Sequence, residues 1–159
     1  MRVLAYRVAP YDNGSYILVD DRNQAVIVDP SMGERELLAA VRDEGLRVIE
    51  ILNTHGHPDH VFGNAAVKDA TGGRLAIHRA DSYRLELAAT RSSGVIPPAP
   101  RALADDLIDE GRLPYLADVR LEALHTPGHT EGSTCFHLPL HGILFSGDVL
   151  FAGNVGRVD

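Results

Sequence analysis

Residues 54–60 read Thr-His-Gly-His-Pro-Asp-His, which puts three of the chain's eight histidines and one aspartate into six successive positions. Imidazole nitrogens and carboxylate oxygens are the donors that hold a divalent ion at about 2 Å. His55 and His57 are two apart, and in an extended segment that spacing places both on one side. Gly56 between them leaves room for close backbone approach. Pro58 forbids a continuous helix through the stretch, which sets it apart from the helical His-Glu-x-x-His zinc pattern. Asp59 and His60 follow as the chain turns towards its next helix, where they can face a second, adjacent ion.

One loop cannot close two metal sites, and two further segments carry donors. His-Thr-Pro-Gly-His-Thr-Glu-Gly-Ser (125–133) places His129 in a glycine-flanked turn after a predicted strand. Leu-Phe-Ser-Gly-Asp-Val-Leu-Phe (144–151) leaves Asp148 at the end of an apolar run. A carboxylate there is costly unless something positive sits beside it. His125 either orients the nearby His129 or is structural. His137 and His141 read as turn residues, His78 as structural, Cys135 as a small core residue and Arg157 as a solvated loop residue.

The elements that must position these donors are short. Residues 4–8, 15–19 and 25–29 read as strands separated by turn-rich segments. Residues 33–45 carry Leu37, Leu38 and Val41 at helical spacing, with Gly45 as the stop. The apolar run 48–53 reads as a strand buried on both faces that delivers the chain into the histidine loop. A helix over about 64–70, a strand over 74–78 and a helix over 80–89 follow. The proline- and serine-rich stretch 91–101 is expected to be a long surface loop. Strands are expected over 119–125, 134–138 and 142–146, and the last residues, Phe151–Asp159, read as a glycine-rich loop. Helices interspersed among strands indicate layered α/β.

Composition narrows the partners. The chain has 159 residues, 45% apolar and 23% charged, the makeup of one globular domain with a real core. A formal net charge of −7 excludes an obvious basic face, hence neither nucleic acid nor an anionic membrane is an expected partner. No export signal or membrane-spanning run is legible, and the single cysteine suits a reducing cytosol. A cytoplasmic location is expected.

His-x-His-x-Asp-His, then Pro-Gly-His-Thr-x-Gly-Ser, then Ser-Gly-Asp, in this order, resembles the metallo-β-lactamase fold superfamily over essentially the whole chain. It is most similar to short glyoxalase II-like (hydroxyacylglutathione hydrolase-like) members. The resemblance implies an α/β fold, a four-layer αββα sandwich lacking its last strand and helices, in a single domain over residues 1–159. It also implies two divalent ions, zinc first, with iron or manganese as alternatives. His55, His57 and His129 would hold the first ion, Asp59 and His60 the second, and Asp148 would bridge them, with Asp59 also acting catalytically to orient the nucleophile. The family's further histidine would fall beyond Asp159, so the chain reads as truncated at its C-terminus. An unpaired sheet edge is then expected to favour poor stability or homo-oligomer formation. Two divalent ions less two carboxylates and a hydroxide leave about one positive charge to stabilise an oxyanion or thiolate. The implied activity is hydrolysis of a small-molecule thioester or ester. The alternatives are a persulfide dioxygenase with one iron on His55, His129 and Asp148, and an inactive fragment.

Overall fold

The computed structural model describes residues 1–116 and 118–158. β1 (Arg2–Val8), β2 (Asn13–Val19) and β3 (Gln24–Val28) form an antiparallel meander. β4 (Arg47–Asn53), β5 (Arg74–His78) and β6 (Asp106–Ile108) extend it in parallel with β3, giving a six-stranded sheet in chain order. β7 (Gly111–Leu113), β8 (Leu121–His125), β9 (Thr134–Leu138) and β10 (Ile143–Phe145) make an antiparallel sheet of order β10-β9-β8-β7. The helices are α1 (Glu34–Asp43), α2 (Pro58–Val61), α3 (Asn64–Thr71) and α4 (Ser82–Thr90), the last entered through a 3-10 turn at Arg79–Asp81.

Parallel strands are stable when both faces are covered, and two apolar clusters do this. On one face Ile17, Ile27, Ile51, Leu75 and Ile77 pack against Leu37 of α1, Val67 of α3 and Leu85 of α4. On the other, Leu18, Val26, Val28, Leu52 and Ala76 meet Leu121, Ala123, Phe136 and Leu138 of the second sheet. The layers are therefore helix, sheet, sheet. Among the described residues no helix covers the outer face of the second sheet, where Leu144 is exposed. This is the expected αββα sandwich without its last helices. Among the described residues no helix is long and apolar enough to cross a membrane.

Pro58 occupies the first position of the one-turn helix α2, where its missing N–H costs nothing and its fixed φ suits a helix. No helix therefore runs through the histidine loop, and the chain turns helical after it, as expected. The sequence reading is corrected in two places. The 91–101 stretch is not wholly a surface loop, because Ile96 and Ala99 are buried and Ser93 and Ile96 pair. The glycine-rich end carries a two-residue strand pair, β11 (Leu150–Phe151) with β12 (Asn154–Val155).

Candidate metal centre

The donors gather because each follows the C-terminal end of a strand. β4 leads into residues 54–60, β8 into the turn holding His129, and β10 into Asp148. Loops at the carboxyl ends of sheet strands are where α/β folds build their sites. His57 is extended at the N-cap of α2, so His55 and His57 converge, while His60 lies one helical turn further on.

His55 Nε2 lies 3.0 Å from His57 Nδ1 and 3.2 Å from His129 Nε2, and His57 Nδ1 is 3.0 Å from His129 Nε2. The surrounding bonds fix which nitrogens carry protons. Thr54 donates its hydroxyl proton to Asp29 Oδ2 (2.6 Å), so its oxygen accepts from His55 Nδ1–H (3.1 Å). His129 Nδ1–H donates to the Arg157 carbonyl (3.0 Å) and His60 Nδ1–H to Asp29 Oδ2 (2.9 Å). Each of the three rings, when neutral, turns a bare Nε2 lone pair to the centre. Burial first, then the neighbouring His60, His57 and His129, hold His55 far below its ordinary pKa, so that ring keeps a bare Nε2. A bound cation fits these spacings: tetrahedral bonds of about 2.0–2.1 Å separate ligand nitrogens by about 3.3 Å.

A second group adjoins the first. The ligand atoms of His55, His60 and Asp148 lie within 4.8 Å of one another, as do those of His55, His57 and His129. His60 Nε2 is buried without a hydrogen-bond partner. It stands 3.2 Å from Asp148 Oδ1 and 3.7 Å from Asp59 Oδ2, within ion-pair reach but without hydrogen-bond alignment. Asp148 Oδ2 is 3.6 Å from His129 Nε2, so one carboxylate faces both groups. Burial opposes charge on both His60 and Asp148. Asp29 and Asp148 nonetheless outweigh it at His60 and raise its pKa, and His60 outweighs it at Asp148, whose pKa falls. All six expected residues come to one place. Asp59 lies in neither donor group; its Oδ2 is 3.7 Å from His60 Nε2 and is held by Asn13 Nδ2 at 2.9 Å.

Sequence reasoning missed three supporting side chains. Asp29 is buried at the end of β3 and takes Thr54 N–H, Thr54 Oγ1–H and His60 Nδ1–H on its two oxygens; the signal, a carboxylate ending an apolar strand, is the one that pointed to Asp148. Asn13 fixes Asp59, and Asp81 binds both histidine-bearing loops; neither has such a signal. His125 does not orient His129 through its ring: it stacks on His78 (4.0 Å, 12°) and bonds the Glu131 carbonyl at 2.9 Å. His137 faces Glu122 in the second sheet, away from the centre. Arg157 reaches the site through its carbonyl, which accepts from His129 Nδ1–H. A cleft of about 510 Å³ opens beside the histidines, walled by Tyr11, Asn13, Asp59, Ser93, Phe151 and Arg157.

The family model of the Metallo-beta-lactamase superfamily matches residues 9–159. The hydroxyacylglutathione hydrolase of Cereibacter sphaeroides is 36% identical over 149 residues, covering 92% of this chain and 51% of that protein. The chain thus spans about half the length of this curated relative. Among solved structures, BLEG-1 B3 metallo-beta-lactamase aligns with a TM-score of 0.89 at 31% identity, over 98% of this chain and 76% of that one. TTHA1623 in a di-iron-bound form aligns with a TM-score of 0.81 at 31% identity, over 98% of this chain and 77% of that one.

Proposed function

From the premise that this chain belongs to the metallo-beta-lactamase superfamily, we propose that it is a metal-dependent hydrolase of small-molecule thioesters or esters, with two divalent ions at the histidine centre. The observation that carries the reading is the set of three imidazole nitrogens facing one another at 3.0–3.2 Å, with the orphaned His60 Nε2 beside them. His55, His57 and His129 would hold one ion. His60 and Asp59 would hold the other, with Asp148 shared, as its two oxygens facing the two groups suggest. Ions so held lower the pKa of a bound water and polarise a carbonyl oxygen.

The chain's own residues supply position and proton handling. Asn13 leaves one oxygen of Asp59 free to orient the attacking water and take its proton. Arg157 lines the cleft beside the histidines. Zinc is the first choice of metal, and iron is compatible with the same donors. The matched hydroxyacylglutathione hydrolases support a glutathione thioester as the substrate to try first, and the lone buried Cys135 fits a reducing, cytoplasmic setting.

The test is elemental analysis of protein purified without chelator, followed by hydrolysis of an S-hydroxyacyl glutathione thioester before and after metal removal. Two ions per chain and a rate that vanishes on chelation and returns with Zn²⁺ are expected. A single iron per chain with oxygen uptake on a persulfide would replace this reading with the dioxygenase. No bound metal, with no uptake on addition, would end it.

A further inference from the structure

Asp81, the last residue of the 3-10 turn after β5, is wholly buried outside both donor groups. Its Oδ2 accepts the N–H of Gly56 and the hydroxyl of Thr130, both at 2.8 Å, and its Oδ1 accepts the N–H of Gly132 at 2.7 Å. The Arg84 guanidinium lies 3.4 Å from Oδ1. Gly56 is the residue between His55 and His57, and Thr130 is the residue after His129. A single carboxylate is therefore hydrogen-bonded to both loops that carry the three-histidine group.

The glycines of those loops are explained by the same segment. A Cβ on Gly132 would lie 2.6 Å from Asp81 Cβ and backbone N, and one on Gly56 would lie 2.4 Å from Arg84 Cβ. Both loops press bare backbone onto residues 81–84 from opposite sequence neighbourhoods, 25 and 51 residues away from Asp81. Because a carboxylate only accepts, Thr130 gives its proton to Asp81, and its oxygen is left to accept from Ser133 Oγ, 2.9 Å away. Charge-assisted bonds of this kind are short and directional.

We propose that Asp81 is a positioning residue that sets the distance between the His55–His57 pair and His129, and through it the metal affinity of the three-histidine group. This rests on the metal reading above. A residue that merely stabilised the fold would lower the melting temperature without changing that affinity preferentially.

The test is titration of the metal-free chain with Co²⁺, followed by visible absorption and by competition with a chelator of known affinity. Asp81→Asn keeps the shape of the side chain but replaces one acceptor oxygen with an NH2. Whichever way the amide turns, one of the Gly56 and Gly132 N–H groups faces a donor. The tighter class of Co²⁺ sites should weaken by about ten-fold or more, the scale typical of lost support around a metal ligand. Val19→Ala, a buried core change at the far end of β2, should cost comparable thermal stability and leave Co²⁺ affinity within about two-fold. If Asp81→Asn fails to fold, Thr130→Val removes one of the three bonds with little change of shape, and a several-fold weakening is expected. Unchanged affinity in the variant that folds, or equal weakening in Val19→Ala, would overturn the proposal alone. Failure of the unsubstituted chain to bind Co²⁺ would overturn the metal reading, and this proposal with it.

Discussion

Glu50 lies on β4, three residues before Asn53 and the histidine loop, and is 2% exposed. Its Oε1 has no hydrogen-bond partner. Burial first, then the nearby carboxylate of Asp106, push its pKa from 4.5 to about 8, with Arg74 only partly opposing and Asp105 adding to the rise. The buried side chain is therefore protonated at neutral pH. The sign follows from proton counting: the unfolded chain releases this proton above 4.5 and the folded chain keeps it until about 8. The protonated group's contribution is thus fully present below 4.5 and is lost as pH rises to about 8. Each pH unit between the two values costs about 1.4 kcal/mol. From pH 5 to pH 8 the loss is roughly 3.5 kcal/mol, and roughly 2 kcal/mol once discounted for partial hydration of the carboxyl group. Glu50→Gln, nearly isosteric and without the titration, should remove that slope. Urea unfolding of both proteins at pH 5 and pH 8 measures it: the advantage of Glu50→Gln should grow by roughly 2 kcal/mol between the two, or several degrees in melting temperature. An advantage that is the same at both pH values would refute the placement of a neutral carboxyl group in this core.

Three other outcomes are expected from the site. Asp29→Asn replaces the acceptor of His60 Nδ1–H and Thr54, so metal bound at the His60 group should weaken about 10- to 100-fold in competition titrations; unaltered affinity would deny Asp29 that role. Gly156→Ala would bring a Cβ to 1.7 Å from the Asp148 carbonyl, forcing apart the segments that carry Asp148 and the Arg157 carbonyl. Metal content by elemental analysis should fall, whereas unchanged content would mean that the loop yields without consequence. Chelation should lower the melting temperature, because ligand at a hundred times its Kd stabilises the folded state by about 2.7 kcal/mol. Calorimetry showing no shift would mean that the folded chain holds no metal preferentially.

What the sequence made legible is what short-range chemistry determines. The two-residue spacing of His55 and His57, the proline that follows, and the apolar run of β4 lie within a dozen residues. Local rules therefore found the loop and its strand. The two-layer arrangement of sheets was reached through family resemblance, because in–out alternation such as that of Leu121, Ala123 and their neighbours says which face is buried and not what covers it. β6 and β7, three residues each, are too short for a periodic signal and exist because β5 and β8 supply the hydrogen-bonding edges they join.

The support of the site was less legible for a related reason. A polar side chain in a predicted element looks the same whether it faces water or serves as a buried acceptor, unless its neighbours are uniformly apolar. Asp29 meets that condition, ending the run Ala-Val-Ile-Val, and the reasoning that singled out Asp148 applies to it unchanged. Asp81 does not: it stands among Arg79, Ser82 and Arg84, where an acid reads as an ordinary start to a helix. Its acceptor role depends on partners 25 and 51 residues away. Glu50 inverts the problem, since an acid inside an apolar strand ordinarily marks an exposed edge or a paired charge, and here it is buried with one oxygen unpartnered. The parts of the site hidden from the sequence are thus those whose meaning is set by tertiary partners. A chain that has to bring together donors from three loops is expected to place much of its supporting chemistry there.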